Sequence, residues 1–395
     1  MNTQTAQKAK NVPLWFLAIL TLSGTLAMHI FVPVLPLVGQ YFHAEIHQVQ
    51  LTLSVYILGL ALGQLFYGPL ADAIGRRPVL VFGMLLYTCA GVGAIFASEL
   101  NLLIFMRFLQ ALGGCTGLLL GRAIVRDTST GIETTKRLSL LNMMVMFGPG
   151  LAPILGGFFA ALSGWKTIFM VLSGLGLLNL FLVWIFVHDD ETQQKQTSFQ
   201  TVLADYKKLV TSPKFLGFTL GGSLATTSFY AFLGVAPFIV LHQLHGSIHH
   251  VSLYLALVML GIWLGTFCSS RMVSRISLNR MVLIGSSISV SSAVILLACN
   301  FAHWLNPYTL MIPIIGYCFG GGFTSPAALT NTLNVNPKVA GSASGLYGCA
   351  QMSIGAICTS LSGLGNNPAL SVACILLGAS IFALGFFYLA LRSPK

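Results

Sequence analysis

Two side chains inside long apolar stretches can do chemistry that their neighbours cannot. His29 titrates near neutral pH and can carry a proton, and Arg107 is a fixed cation. Arg107 opens the run Arg107-Phe108-Leu109-Gln110-Ala111-Leu112-Gly113, so the amide of Gln110 comes round one helical turn later. A second set is ionic. In Gly68-Pro69-Leu70-Ala71-Asp72-Ala73-Ile74-Gly75-Arg76-Arg77-Pro78 the glycines permit a tight turn, and Asp72 can pair with Arg76 four residues on. A third is mechanical. Gly148-Pro149-Gly150-Leu151-Ala152-Pro153-Ile154-Leu155-Gly156-Gly157 repeats small residues and prolines every four positions, which gives a smooth, bendable helix face. No Ser/His/Asp set, phosphate loop or ATP-binding motif accompanies them, so an enzyme is the least favoured class and no cofactor is expected.

The elements that position these residues are set by composition. Of 395 residues 55% are hydrophobic and 7% charged, where a soluble domain carries about 25% charged residues. Soluble, disordered, collagenous and disulfide-framework chains are excluded on that ground. Apolar stretches long enough to cross a bilayer as helices fall at 13–36, 48–70, 79–97, 100–124, 136–160, 165–187, 214–240, 250–270, 281–300, 305–330, 338–362 and 368–391. They lack the strict alternation of a barrel strand. The first continues through Pro33 and Pro36 and reads as span one, not as a cleaved signal. The expected fold class is an all-α polytopic membrane protein with twelve spans.

The net charge of +11 is a topology signal, with no nucleic acid implied, because the basic residues sit in short gaps between spans. With the N-terminus placed in the cytoplasm, every Lys and Arg except Lys166 and Arg107 falls on the inner side. Both termini are therefore expected in the cytoplasm. The eight cysteines lack metal-ligand spacing and read as packing residues. Seven of the nine histidines, at 43, 47, 242, 245, 249, 250 and 303, fall in outer loops without acidic or thiol ligands, so solvated loop residues are favoured over a metal site.

The longest polar stretch divides the chain into a six-helix half, 1–187, a cytoplasmic linker, 188–213, and a second six-helix half, 214–395. In the linker Phe199, Val202, Leu203, Tyr206, Leu209 and Val210 share helical spacing, as expected of an amphipathic helix on the inner leaflet or of a plain tether. Residues 63–83 align without gaps on 265–285, with Gly63 on Gly265 and Gly83 on Gly285. The second copy has Ser274 opposite Asp72 and Ser277 opposite Gly75. Duplicated halves are typical of transporters that rock around a central site.

The loop after span two resembles the G-x-L-x-D-R/K-x-G-R-R/K signature of the major facilitator superfamily, with Ala73 where a basic residue is usual. The resemblance implies a gating group of Gly68, Asp72, Gly75, Arg76 and Arg77, a link to Asp127 at the end of span four, and docking against the start of span eleven. The Arg107 run is similar to the family's R-x-x-Q-G-x-G, with Ala111 for a glycine. Span five resembles the antiporter motif G-P-x-x-G/A-P-x-x-G-G of drug:proton antiporters, carried here by Gly148, Pro149, Ala152, Pro153, Gly156 and Gly157. With His29 to Pro36 and Ala236-Pro237-Phe238, the whole chain looks like the twelve-span Bcr/CflA branch of multidrug exporters.

That likeness implies a secondary active exporter of small amphiphilic molecules in the bacterial cytoplasmic membrane, a monomer among lipids, coupled to protons. Relatives often carry an aspartate at the position of His29, and none of the nine acids here lies at mid-membrane. If protons couple, His29 is the side chain to carry them. With Arg107 as the fixed charge of the cavity, neutral, zwitterionic or anionic substrates are expected over quaternary cations. Expected lining residues are His29, Phe31, Tyr56, Gln64, Arg107, Gln110, Asn142, Phe229, Tyr230 and Phe232. The alternatives are a dedicated metabolite or siderophore exporter not driven by protons, and a non-transporting membrane sensor.

Overall fold

The computed structural model describes residues 12–129, 131–188, 199–365 and 367–392, and within them the chain is helical throughout, without strands. In hydrocarbon every backbone N–H and C=O must be bonded internally, and a helix does that within one segment. Span one is Leu14–His29 followed by a short 3-10 turn, Val32–Val34, and a helix Leu35–Phe42. Spans two to six are Ile46–Ile74, Arg76–Ile95, Leu100–Thr128, Gly131–Ser163 and Lys166–Phe186. A linker helix, Phe199–Val210, precedes span seven, which runs Pro213–Thr227, Tyr230–Phe238 and a π turn, Ile239–Gln243. Spans eight to twelve are Ile248–Met272, Leu278–Phe301, Pro307–Asn334, Ala340–Ser362 and Pro368–Arg392.

Among the described residues ten of these segments are long and apolar enough to cross a membrane by length and composition. Spans ten and eleven complete the bundle; glycine, serine and threonine dilute their hydropathy.

Spans one and seven are broken, where the sequence suggested single helices. Pro33 in the 3-10 turn and Pro36 in the following helix lack the amide that a continuous helix would need. In span seven Thr227 and Ser228 donate their hydroxyls back to the carbonyls of Ser223 and Leu224, next to the break.

Spans two, three and four pack as a unit whose geometry recurs in spans eight, nine and ten. Gly59 lies against the carbonyl of Phe108 and the Cβ of Ala111, and Gly261 against the carbonyl of Ile315 and the Cβ of Cys318. Gly113 meets the carbonyl of Gly83 and the amide of Tyr87, and Gly320 meets the carbonyl of Gly285 and the amide of Ser289. The offset is 202 residues for the first pair of spans and 207 for the third. By that correspondence Arg107 faces the role of Ile314, Gln110 that of Tyr317, and Asp127 that of Asn334.

Two seams cross between the sets of spans: span two packs along span eleven, and span five along span eight. At the face opposite the basic residues the 3-10 turn of span one also touches spans seven and eight.

The linker helix does not lie free on a membrane surface. Val202 and Leu209 are buried, and Tyr206 donates its hydroxyl to the carbonyl of Leu65 in span two at 3.1 Å. Leu209 packs with Phe215 of span seven and Ala343 of span eleven, while Leu203 and Val210 stay exposed. A helix that satisfies its apolar stripe on protein has less left for lipid. Residues 189–198 of the linker lie outside the described residues.

Candidate functional site

Arg107 is wholly buried in span four. Its Nη1 donates to the Ala27 carbonyl at 3.1 Å and to Oε1 of Gln110 at 2.9 Å. Three rings enclose the guanidinium: its Cζ lies 4.0 Å from the Tyr56 ring centre, 4.7 Å from Phe31 and 5.8 Å from Phe169. The negative faces of aromatic rings compensate a cation where no carboxylate is at hand. Its Nε and Nη2, and Nε2 of Gln110, are shielded from solvent and have no hydrogen-bond partner. Buried donors left in that state are costly, and each can donate to an acceptor oxygen brought within reach.

The break in span one makes this cage possible. Phe31 lies at that break with its ring 5.3 Å from that of Phe169, and Ala27 is in the last turn of the first helix, where carbonyls lack an intrahelical partner. The Tyr56 hydroxyl donates to the Gly24 carbonyl at 2.7 Å, and Tyr87 to the Ser23 carbonyl at 3.3 Å. Asn179 of span six donates to the Ser23 hydroxyl at 2.7 Å and leaves its own Oδ1 unpaired. Close approach of spans one and four seats these bonds, since a Cβ on Gly24 would lie 2.8 Å from the Gly114 carbonyl oxygen.

His29 ends the first helix of span one, and its Nδ1 is 2.8 Å from the Thr25 carbonyl. A carbonyl only accepts, so Nδ1 carries the hydrogen and Nε2 remains as the acceptor of the neutral ring. The ring stands 6.3 Å from that of Tyr230, whose own ring centre lies 4.5 Å from that of Phe229 in the break of span seven.

Of the ten expected lining residues, Arg107, Gln110, Tyr56 and Phe31 form one cluster. His29, Tyr230 and Phe229 form a second that joins spans one and seven, and Phe232 is buried in span seven. Gln64 stands apart: it lies at the seam with span eleven, against Gly345 and Gly348. Asn142 is exposed on span five and touches neither cluster. Phe169, Tyr87, Ser23 and Asn179 belong to the buried group and were not anticipated. Asn179, a lone amide in the most apolar stretch of its region, was the readable signal. Gln351 in span eleven is similar: it donates to the Thr226 hydroxyl at 2.8 Å.

At the basic face the charged residues at the ends of spans two and four are joined by Arg76. Arg76 pairs with Asp72 at 2.7 Å and, through Nε, with Asp127 at 3.1 Å, tying the end of span two to that of span four. Gly75 has φ of 101°, which favours glycine, whereas a Cβ on Gly68 would meet nothing within 4 Å. Arg77 reaches the Trp184 carbonyl of span six at 3.4 Å. Span eleven meets span two at Gln64, about two turns along the helix from Asp72.

The small-residue face of span five seals against two neighbours. A Cβ on Gly156 would lie 2.0 Å from the Ile30 carbonyl oxygen, and one on Gly148 would strike Leu22, both in span one. On the span-eight side Gly157 abuts Ser252, whose hydroxyl donates to the Pro153 carbonyl at 3.0 Å. Pro153 and Ala152 are buried, and Pro149 is half-buried. Among the described residues no cluster of His, Cys, Asp or Glu could hold a metal ion.

The family description Major Facilitator Superfamily matches residues 17–360. The chain is 29% identical over 380 residues to an uncharacterized MFS-type transporter, YdgK, of Bacillus subtilis, covering 94% of each chain. It is 27% identical over 371 residues to Multidrug resistance protein D of Escherichia coli, covering 91% of this chain and 90% of the relative. Among solved structures, a D-xylose-proton symporter superposes with a TM-score of 0.75 at 15% identity, over 94% of this chain and 97% of that one.

Proposed function

The chain belongs to the Major Facilitator Superfamily and is a membrane transporter, and from that premise we propose that it exports small amphiphilic molecules by alternating access. The observation that carries this reading is the seam of span five. Its glycines and prolines abut spans one and eight closely enough to hold one face shut, while a surface without knobs lets the helices slide or hinge. Similarity to a relative named for multidrug resistance supports export of drug-like substrates.

The substrate class follows from the Arg107 cage. A buried cation with two unpartnered donor nitrogens, walled by aromatic faces, suits a neutral, zwitterionic or anionic amphiphile with an acceptor oxygen. His29 is the proton carrier in this reading, through an Nε2 placed where spans one and seven meet. The two six-helix units, 1–187 and 214–395, are the moving bodies, with the linker between them. The gating group Asp72, Arg76 and Asp127 holds the cytoplasmic ends of spans two and four together. The basic face is cytoplasmic, both termini included, and the membrane is the bacterial inner membrane, with the protein acting as a monomer.

The test is efflux from proteoliposomes under an imposed pH gradient, screened with acidic, zwitterionic and permanently cationic dyes. The reading expects transport that collapses with a protonophore, loses its gradient dependence in His29→Ala, and disfavours permanent cations. Gradient dependence unchanged in His29→Ala would remove the proton role of that residue. A clear preference for quaternary cations would overturn the substrate assignment.

A further inference from the structure

No aspartate or glutamate occurs after Asp205, while Lys214, Arg271, Arg275, Arg280, Lys338, Arg392 and Lys395 are all basic. The first half has carboxylates at the corresponding corner, and they neutralise Arg76. In the second half Ser274 and Asn334 stand at the positions of Asp72 and Asp127, and Leu278 stands at that of Arg76. The positive charge of the second half therefore meets no acid of its own.

At that corner the structure has a pocket of about 190 Å³. It is lined by Lys214, Asn279, Asn331 and Asn334, with Phe218, Val335, Ala390 and Leu391 as its apolar wall. Its origin is visible in the pseudo-repeat. Arg77 spans the equivalent corner of the first half to reach the Trp184 carbonyl. Asn279 occupies the place of Arg77 and is several atoms shorter, so the space stays empty of side chain. The Nδ2 of Asn331 is shielded from solvent and has no hydrogen-bond partner. Spans seven and nine both begin here, at Pro213 and Leu278, with Lys214 and Asn279 each the second residue of its helix.

Those groups are all suited to one kind of ligand. An ammonium and three carboxamides able to donate line it without a competing carboxylate, and the N-termini of spans seven and nine lie here beside the C-terminal ends of spans ten and twelve, so the excess positive charge is that of Lys214. The apolar wall on the span-twelve side offers a surface for acyl chain or glycerol carbons. We propose that this pocket binds a phosphate oxyanion, supplied by the headgroup of an anionic phospholipid on the basic side of the membrane. The inference stands apart from the transport reading and from the Arg107 cage, which lies in the other half.

The experiment uses the full chain, delipidated in detergent, and counts bound molecules by native mass spectrometry. Phosphatidylglycerol, phosphatidylcholine and inorganic phosphate are the probes. One phosphatidylglycerol is expected to be retained in preference to phosphatidylcholine. Lys214→Gln should weaken it about fivefold, as expected for one cation near a lipid phosphate. Asn331→Leu should weaken it by a similar factor, and Arg275→Gln, outside the pocket, should leave it unchanged. Retention against excess inorganic phosphate assigns the oxyanion to lipid; displacement by inorganic phosphate, with the same sensitivity to the two pocket variants, keeps the site but assigns it a soluble phosphate. Equal retention by wild type and both pocket variants would overturn the proposal, as would a loss in Arg275→Gln as large as that in Lys214→Gln. Lys214 is half-buried in the first turn of span seven and glutamine nearly keeps its length, so its variant keeps the test valid even if Asn331→Leu fails to fold.

Discussion

Spans two to four and spans eight to ten have the same packing and different chemistry. The close approaches at Gly59 and Gly113 recur at Gly261 and Gly320 with the same partner atoms. Yet where the first set has Arg107 and Gln110, the second has Ile314 and Tyr317, and the Tyr317 hydroxyl bonds only 2.6 Å away to Ser228. Where the first set ties Asp72, Arg76 and Asp127 together, the second has Ser274, Leu278 and Asn334 beside a pocket. Helix packing depends on small residues at contact positions, and these are kept in both. Charge is free to differ, because the backbone contacts do not require it.

The largest effect that would break this contrast is at Arg107. Arg107→Ala should lower transport by about 10- to 100-fold, the range for losing charge-assisted hydrogen bonds in a buried site, measured as initial efflux in proteoliposomes. The equivalent Ile314→Ala should cost stability but leave substrate preference unchanged. If both variants shift preference alike, the functional asymmetry fails.

Next comes the span-five seam. Gly156→Val places carbon against the Ile30 carbonyl and should destabilise the closed face by about 1–3 kcal/mol, read as accessibility of cysteines introduced at that face. Gly68→Ala, in open space, should be silent in the same assay.

A smaller shift tests the ionic group. Asp127→Asn makes the first half resemble the second, and removes one partly exposed pair from Arg76. The expected change is up to about 1 kcal/mol in the conformational equilibrium, measured by the same accessibility assay with increasing salt as a control. Asn334→Asp should not tie span eight to span ten, because Leu278 offers no cation; the new carboxylate shares its pocket with Lys214 of span seven instead. Smallest is Tyr206→Phe, which removes one hydrogen bond between the linker helix and span two, worth about 1 kcal/mol or less, visible as faster proteolysis of the linker.

The spans, the paired motifs and the unusual burial of Arg107 were legible because each rests on local sequence: run length, turn residues and a charge inside an apolar stretch. Asp72 with Arg76 was also legible, since four residues along a helix puts the two side chains on one face. The cage was not. Phe31 and Phe169 are 138 positions apart, and nothing in a count of aromatics distinguishes Phe169 from the other phenylalanines of span six. Asn142 and Gln64 were chosen for polarity, but which face of a transmembrane helix a polar residue occupies depends on its neighbours. Asn142 is exposed and Gln64 belongs to a seam.

The amino-acid sequence by itself determines that this chain spans a membrane, how many times, and which of its residues carry charge into it. Those properties follow from the free energy of apolar burial and from the cost of unpaired polar groups, both local sums along the chain. Only tertiary structure decides that the buried Arg107 is held by aromatic faces, that span one breaks near it and span seven beside His29, and that the second half leaves a pocket where the first has an arginine. Those outcomes depend on distances between segments remote in sequence, and a few ångströms there determine whether a donor is paired, idle or open to a ligand.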